Sequence, residues 1–542
     1  MTRGSALVLL AMLGAGVFLA GLELMVTAVA LPSIVVDLAD WSALRTASWI
    51  VNGYLLASIV TMPLAGRIAD RWGPRRPFLA ALAIFAVGSL LAGRAQSLDE
   101  LIAARIVQAI GGGILIPVAT SGAAEVFEGH ARPLALGVIG GLTFLGMATG
   151  PFVGAWIIGS VHPSAVLDAA GLPGALRDAL DAPWRYVFYL NVPIALAALV
   201  LAWAASTGWH GPTRAGRTDV LGATAFSIGL AALLIGLTLA GSDQIAGLDP
   251  ALVIAIFGLK AVLGIGLALR VGLLRSDPFI DPRWFRSRSF TSATLISLLT
   301  GYAFATAIIG GAVFVDRVLY GGPDVQRFAL GSLAGATALG ALVSGLVLRL
   351  LGLRATTTIG LILGIVALVR MAAWSTGTGL VEVAGWLAVF GFGFGLTVTP
   401  RSTAAVEALG HRAFGIASAT VTVARMIGMG VGLAVLSAFG STVIDRLFAA
   451  VRATPDAYKA FIPEALRNRQ LHDGLVVQAL ESWASAEAAK ILVGVFLVAA
   501  AVMAIALVPA LTLERRILGA APATTAGGGT DEEDDGGAAY AL

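Results

Sequence analysis

The sequence contains no cysteine, and only 12% of its 542 residues are charged. Without cysteine the chain has no disulfide framework, no thiolate metal site and no thiol nucleophile. Soluble domains carry roughly 25% charged residues, so a globular chain of this composition would lack the polar groups to cover its surface. With 58% hydrophobic residues and a mean hydropathy of +0.89, the composition predicts an all-α polytopic membrane protein.

Lysine and histidine are also scarce, and their placement argues against an enzyme. The three lysines are Lys260, Lys459 and Lys490, and none follows a glycine as a phosphate-binding loop requires. No histidine pair has metal-ligand spacing, and no serine, histidine and carboxylate are grouped at membrane depth. We therefore expect no enzyme activity, no metal and no cofactor, and we expect an ion gradient to supply the energy for any work.

Apolar runs of about 20 residues, the length of a helix that crosses a bilayer, recur along the chain. Charges, Pro or Gly bound each run. They predict fourteen spans, near residues 6–31, 46–65, 77–96, 98–121, 134–158, 186–205, 219–240, 250–271, 289–316, 327–350, 355–375, 381–400, 413–440 and 488–512.

The basic residues are divided unevenly between the two sides of the predicted membrane. With the N-terminus inside, most of them fall in inner loops, such as Arg67 to Arg76 and Arg270 to Arg288. Loops rich in Arg and Lys stay in the cytoplasm. We therefore expect both termini in the cytoplasm and the spans in the cytoplasmic membrane.

Three segments lie outside the predicted spans. Outer loops at 159–185 and 441–487 carry amphipathic helical patterns such as VIDRLFAAVRA. They could cap the outer mouth, lie on the bilayer surface, dock a partner or simply connect spans. Residues 517–542 are rich in Gly and Ala and contain DEEDD, which predicts a disordered cytoplasmic tail.

Charges within the spans are the most informative feature, because an ionisable group at membrane depth is costly. At 1.5 Å per residue, Glu23 in GLELMVTAVALP lies about 12 Å from the outer end of span one, and Arg105 about 10 Å from that of span four. We expect the two to pair, with Gln108 one turn deeper. Burial disfavours a carboxylate whereas a guanidinium favours it, so a conformational change could bind or release a proton; a static ion pair is the alternative.

Three further cations, Lys260, Arg370 and Arg425, lie within spans. Arg425 is near mid-depth in span thirteen, where it could bond backbone carbonyls or a carboxylate elsewhere. Lys260 in span eight is expected only to extend its ammonium group toward the membrane surface.

The inner loop after span two reads GRIADRWGPRR, from Gly66 to Arg76. Asp70 stands where a helix ends and basic residues begin, so it could cap a neighbouring helix N-terminus or pair with an arginine. The stretch resembles the loop signature of the major facilitator superfamily, although Pro74 replaces a usually basic position. The matching residues are Gly66, Asp70, Arg71, Gly73 and Arg75.

Other stretches resemble motifs of the same superfamily, in the expected order. RIVQAIGGG, from Arg105, is similar to the fourth-helix motif, and GMATGPFVGA to the fifth-helix antiporter motif. LELMVTAVALP resembles the first-helix signature of the fourteen-span drug:proton antiporters, with Glu23 in place of aspartate and with Met25 and Ala28 in place of polar residues. The residues that match the antiporter motif are Gly146, Gly150, Pro151 and Gly154. Longer stretches are similar to an actinobacterial branch that exports triacylglycerides and drugs alongside a periplasmic lipoprotein.

The resemblance implies a domain organisation. Residues 1–205 would form one six-helix half, 206–275 a linker with two extra spans, and 276–516 the second half with the long outer loop. The second half lacks the aspartate of the loop signature at 345–354, so any latch would be asymmetric. A substrate cavity should lie between the halves near the midplane.

The resemblance also implies a function, a proton-coupled exporter of hydrophobic or amphiphilic compounds that works by alternating access. Glu23 would carry the proton, Arg105 and Arg425 would respond to it, and the loop signature would stabilise one closed state. The expected partners are the bilayer, hydrophobic small molecules or lipids, and an outer lipoprotein; we expect a monomer and no nucleic acid. The alternatives are a lipid exporter that hands its cargo to an outer partner, and a membrane sensor or scaffold that transports nothing.

Overall fold

The computed structural model describes residues 2–38, 44–47, 49–161, 163, 180–206, 209, 219–239, 249–275, 277–410, 413–453, 457–468 and 473–514. The regular elements in these ranges are all helices. The all-α fold is confirmed. The predicted tail at 517–542 and much of the predicted outer loop at 159–185 lie outside the described residues.

The N-terminal group of helices precedes the predicted linker. Its members are α1 (Arg3–Leu38), α2 (Leu44–Ala47), α3 (Trp49–Trp72), α4 (Arg75–Arg94), α5 (Leu98–Val126), α6 (Ala131–Ser160), α7 (Arg185–Tyr189) and α8 (Asn191–Ala205).

Two helices of the linker, α9 (Val220–Leu239) and α10 (Pro250–Leu274), pack against each other. Large apolar side chains of α10, among them Leu259, Val262 and Leu263, are exposed. An apolar surface of this kind suits contact with lipid, which has no water to exclude.

The C-terminal group follows a short 3₁₀ helix at Pro282–Arg286. Its members are α11 (Arg288–Arg317), α12 (Pro323–Met371), α13 (Leu380–Leu396), α14 (Val398–Leu409), α15 (Phe414–Ala453), α16 (Gly474–Ile505) and α17 (Leu507–Leu511), with 3₁₀ turns at Ala457–Phe461 and Glu464–Leu466.

The described residues contain 13 helical segments that are long and apolar enough to cross a membrane. One of them, Asp324–Met371, has 48 residues and contains two of the predicted spans. It is broken at Gly352, where φ is 81° and ψ is 173°, a conformation that a residue with a Cβ rarely adopts. Counting both parts of this segment gives the fourteen predicted crossings.

Two helices extend well beyond the predicted ends of their spans. α15 has 40 residues, about 60 Å at 1.5 Å per residue, against a hydrocarbon core of about 30 Å. α16 begins at Gly474, before the predicted start at 488. Much of the segment expected as the outer loop 441–487 is therefore a continuation of these two helices, and the Phe461 ring, in a 3₁₀ turn between them, lies 4.6 Å from the Trp483 ring of α16.

The two groups contact each other mainly where α6 packs against α12 and where α3 and α5 pack against α15, and α5 and α6 also contact α14. We call the end of the bundle that carries Arg67, Arg71, Arg75, Arg275 and Arg283 the basic end. α1, α6, α11 and α15 begin there, so their later residues lie toward the opposite end.

Candidate functional site

The Glu23 carboxylate lies inside the N-terminal group and accepts hydrogen bonds from three side chains. Arg105 Nη1 donates to Oε1 and forms an ion pair with it, and Thr27 Oγ1 donates to the same oxygen over 2.9 Å. Asn191 Nδ2 donates to Oε2. Glu23 is 0% and Arg105 is 1% exposed, so the two charges lie at one depth, as expected, and in direct contact.

Arg105 has other partners besides Glu23. Its Nε donates to Ile50 O over 3.2 Å, and its Nη1 donates to Gln108 Oε1 over 2.6 Å. Gln108 Nε2 in turn donates to Ser89 Oγ over 2.8 Å, and the Tyr54 ring centroid lies 4.1 Å from Arg105 Cζ. Arg105 would therefore keep acceptors and an aromatic face if the contact with Glu23 broke.

Asp70 connects the two groups of helices at the basic end. Gly415 N donates to Oδ1 over 2.6 Å, and Ile416 N donates to Oδ2 over 2.9 Å. These N–H groups belong to the first turn of α15, where the helix dipole also favours a negative charge. The helix cap that the sequence offered as one arrangement for Asp70 is present.

The other residues of the loop signature surround this cap. A Cβ on Gly66 would meet the backbone of Gly415, so the two helices can approach only because glycine is present. Gly73 has φ of 77° at the turn into α4, and Arg75 Nε donates to Ser206 Oγ over 2.9 Å. Arg71 lines a cleft at the same end together with Asp70.

The glycines of the antiporter motif allow α6 to pack closely against α1. A Cβ on Gly146 would lie 2.9 Å from Leu22 N, and a Cβ on Gly150 would lie 2.9 Å from Leu22 O. Gly154 continues the same face, where a Cβ would lie 3.2 Å from Val26 O. The motif therefore joins α6 to the helix that carries Glu23, through contacts that only small residues permit.

A cavity of about 490 Å³ lies between the two groups, toward the end opposite the basic end. Met25 and Val29 of α1 line one side, Pro151 and Phe152 of α6 another, and Gly331 of α12 a third. Apolar side chains dominate its walls. Glu23 itself is not among the residues that line it.

Three rings in contact with one another, Phe144, Phe304 and Phe394, lie beside this cavity, and we call them the aromatic floor. Phe304 and Phe394 stack at 4.2 Å, and the Phe144 ring meets both edge-on at 5.7 and 5.6 Å. Phe144 and Phe304 line the cavity.

Two arginines lie against the aromatic floor. Arg425 Cζ is 5.4 Å from the Phe144 ring centroid, and Arg401 Cζ is 5.2 Å from that of Phe394. The carbonyl or carboxylate expected as a partner for Arg425 is absent among the described residues, where its buried Nε has no hydrogen-bond partner. Arg401 Nη1 donates to Thr300 Oγ1 over 2.6 Å.

Sequence reasoning missed several of these residues. The sequence did not predict Arg401 as a charge within the membrane, because the predicted span ends at Pro400. The observed span continues to Leu409. Asn191 is a polar residue within the predicted span 186–205, which is the signal that could have indicated it, and Thr27 lies one helical turn after Glu23. Lys260 is exposed, with its Nζ 5.4 Å from the Phe257 ring centroid, and contributes nothing to the site.

The structure combines several features of a secondary transporter. A cavity lies between two groups of membrane-spanning helices, and a helix that lines the cavity also carries the carboxylate of a buried ion pair. The sequence model of the Major Facilitator Superfamily matches residues 13–433, and the chain belongs to this superfamily. It is a multi-pass membrane transporter and not an enzyme.

Several curated relatives are similar over most of the chain. The triacylglyceride transporter of Mycolicibacterium hassiacum is 34% identical over 405 residues, which cover 72% of this chain and 71% of the relative. The multidrug transporter protein MdtP of Bacillus subtilis is 25% identical over 455 residues, which cover 82% and 78%.

Solved structures share the fold at low sequence identity. The human organic anion transporter MFSD10 aligns with a TM-score of 0.57 and 16% identity, covering 93% of this chain and 100% of that one. The proton:xylose symporter XylE aligns with a TM-score of 0.56 and 12% identity, covering 93% and 96%.

Proposed function

We propose that this transporter exports hydrophobic or amphiphilic compounds, such as drugs, in exchange for protons, by alternating access. The contact between Glu23 and Arg105 carries the proposal. It is a buried carboxylate whose charge is balanced by one guanidinium, on a helix that also lines the cavity. A proton gradient would supply the energy, and no cofactor is needed.

Proton binding at Glu23 would change the packing of α1. A protonated carboxyl group is neutral, so it no longer attracts Arg105, and one of its oxygens becomes a donor instead of an acceptor. Arg105 would then rely on Ile50 O and Gln108, while α1 would lose its electrostatic link to α5. Because Met25 and Val29 of α1 line the cavity, the loss of the link between α1 and α5 would also affect the cavity in which the cargo binds.

The Asp70 cap describes one closed state of the alternating-access cycle. It holds α3 against α15 at the basic end, while the cavity lies toward the opposite end. The positive-inside rule would place the basic end, and both termini, in the cytoplasm of a bacterium. The structure would then represent a state closed to the cytoplasm, and opening inward would require α15 to leave Asp70.

A lipid cargo is the second candidate, and two observations favour it. Apolar side chains dominate the cavity walls, and relatives are named triacylglyceride transporters. The extensions of α15 and α16 beyond the membrane would offer a monomeric transporter a surface on which to hand lipid to an outer lipoprotein.

Transport by purified protein in liposomes tests the proposal. We would impose a pH gradient on wild type and Glu23→Gln and follow a fluorescent lipophilic cation and a fluorescent lipid. Asp37→Asn is the matched control, because Asp37 lies on the same helix and also forms an ion pair with an arginine, Arg185, over 3.6 Å. We expect gradient-driven movement of at least one probe by wild type and the control, and none by Glu23→Gln.

Two results would count against the proposal. Equal transport by wild type and Glu23→Gln would make Glu23 a structural residue. No movement of either probe by wild type, from a folded and correctly inserted protein, would favour a sensor or scaffold instead.

A further inference from the structure

Arg401 and Arg425 are two cations inside the C-terminal group that have no acidic partner among the described residues. Their polar contacts are neutral: Arg401 donates from Nε to Thr397 O over 2.9 Å and from Nη1 to Thr300 Oγ1. Arg425 has an unpartnered buried Nε and a phenylalanine ring. Other interior arginines differ, since Arg105 pairs with Glu23 and Arg185 with Asp37.

These two residues, the arginine pair, lie against neighbouring rings, because the centroids of Phe144 and Phe394 are 5.6 Å apart. Arg401 is 2% exposed, and Arg425 is half-buried. An unpaired charge at membrane depth is costly, and two like charges together cost more. An anion bound between the two guanidinium groups would offset both of these free-energy costs.

The position of the arginine pair relates it to the cavity. Both guanidinium groups lie against the aromatic floor, of which Phe144 and Phe304 also line the cavity. Arg401 lies 8 residues, about 12 Å, from the basic end of α14, and Arg425 lies 11 residues, about 16 Å, from that of α15. The pair is thus at membrane depth on the side of the basic end.

Unused hydroxyl groups lie on the same helix faces. Ser297 is on the face of α11 that carries Thr300, and Ser418 is two turns from Arg425 along α15. Both side chains are buried, and neither Oγ atom has a hydrogen-bond partner in the part of the chain that the structure describes. α11 and α15 pack closely here, since a Cβ on Gly301 would lie 3.0 Å from Arg425 Cα. The region therefore offers donors that no protein acceptor uses.

We propose that the arginine pair binds the anionic headgroup, a carboxylate or a phosphate, of an amphiphilic cargo whose apolar part occupies the cavity. That the ligand is cargo rests on the proposed exporter function. Among the compounds that the exporter moves, the arginine pair would favour acidic amphiphiles over neutral compounds of the same shape. Guanidinium groups suit this task because they bond carboxylate and phosphate oxygens through paired N–H groups.

Binding can be measured apart from transport. The protein, in nanodiscs of phosphatidylcholine, would be titrated with dansyl-labelled undecanoic acid and with its methyl ester, and the signal of empty nanodiscs would be subtracted. We expect the acid to bind wild type at least tenfold more tightly than the ester, and Arg401→Gln and Arg425→Gln to bring this ratio close to one. Arg425→Lys, which keeps the charge, should retain part of the preference.

Arg370→Gln is the matched control. It removes one arginine from a span of the same group, but the Arg370 guanidinium is exposed and lies 5.2 Å from the Trp386 ring centroid, away from the aromatic floor. The acid should keep its full advantage over the ester in this variant. An equal loss in Arg370→Gln would mean that overall charge, and not the arginine pair, determines the preference.

Competition distinguishes a headgroup from a free anion. Dodecanoate and dodecyl phosphate should both displace the probe, whereas acetate and inorganic phosphate at the same concentrations should not. Displacement by the small anions alone, or equal binding of acid and ester by wild type, would overturn the inference. The ratio in wild type requires no variant, so the inference stays testable even if both glutamine variants fail to fold.

The two proposals fail separately. Glu23→Gln keeps the arginine pair and should keep the preference for the acid, even if it abolishes transport. Gradient-driven transport of a neutral lipid without any preference for the acid would leave the exporter standing and refute the anion site.

Discussion

Asp70 and Gly415 hold the N-terminal and C-terminal groups together at the basic end, through a hydrogen bond of 2.6 Å from the glycine N–H to the carboxylate. A second bond from Ile416 N, 2.9 Å long, makes the carboxylate a cap for α15. One side chain of α3 thus satisfies backbone donors of a helix more than 300 residues later in the chain.

Replacing Asp70 with Asn should favour opening at the basic end. Asn offers one carbonyl oxygen and no charge, so it can accept only one of the two hydrogen bonds from the α15 terminus, and a hydrogen bond to a charged group contributes about 1.5–3 kcal/mol. Because the chain has no cysteine, Arg76→Cys and Arg349→Cys can carry spin labels at this end. We expect a longer, broader distance distribution between the labels in Asp70→Asn than in wild type.

Asp277→Asn is the control for this measurement. Asp277 lies at the same end and pairs with Arg67, but the pair does not involve α15. Its variant should keep the wild-type distances. Unchanged distances in Asp70→Asn would show that the cap does not hold the basic end closed.

A methyl group at Gly150 should disturb the contact between α6 and α1. The added Cβ would lie 2.9 Å from Leu22 O and from Met25 Cβ, and overpacking of this kind typically costs about 1–3 kcal/mol. We expect Gly150→Ala to lower the melting temperature and the transport rate. Gly159→Ala, on the same helix with nothing within 4 Å of the added Cβ, should leave both unchanged.

Arg105→Lys should abolish coupling although it keeps the positive charge. An ammonium group cannot reach Ile50 O, Gln108 and Glu23 with the fixed geometry of a guanidinium group. We expect at least a tenfold loss of gradient-driven transport in liposomes. Transport at the wild-type rate would mean that charge alone, and not this geometry, is required at the site.

Filling the cavity should block cargo without touching the ion pair. Ala334 of α12 lines the cavity, so Ala334→Trp should reduce transport of either probe at least tenfold. Leu339→Trp is the control on the same helix, because Leu339 is 55% exposed and lies outside the set of residues that line the cavity. Equal transport by the two variants would argue against this cavity as the cargo route.

The sequence predicted the depth of the buried charges in the membrane better than the direction in which each side chain points. Counting residues from span ends placed Glu23 and Arg105 at the same level, because the rise of a helix is fixed at 1.5 Å per residue. It could not predict contact, since the rotation of each helix depends on how its neighbours pack. Asn191, which donates to Glu23, was not foreseen for the same reason.

The ends of the helices were predicted less well than the depth of the buried charges. Proline ends many helices, but Pro400 lies within α14, whose first turn needs no N–H from it. Cutting the span there hid Arg401 and its relation to Arg425. Hydropathy also detected only the apolar parts of α15 and α16, because their extensions beyond the membrane carry polar residues.

Proton movement driven by cargo is the most direct test of the central claim. Liposomes that contain the transporter and a trapped pH-sensitive dye, with no pH gradient imposed, would receive an outward gradient of a transported probe. The account predicts that the interior of wild-type liposomes acidifies as probe leaves, and that Glu23→Gln liposomes show no pH change. Probe efflux by wild type with no acidification, or acidification that survives in Glu23→Gln, would contradict it.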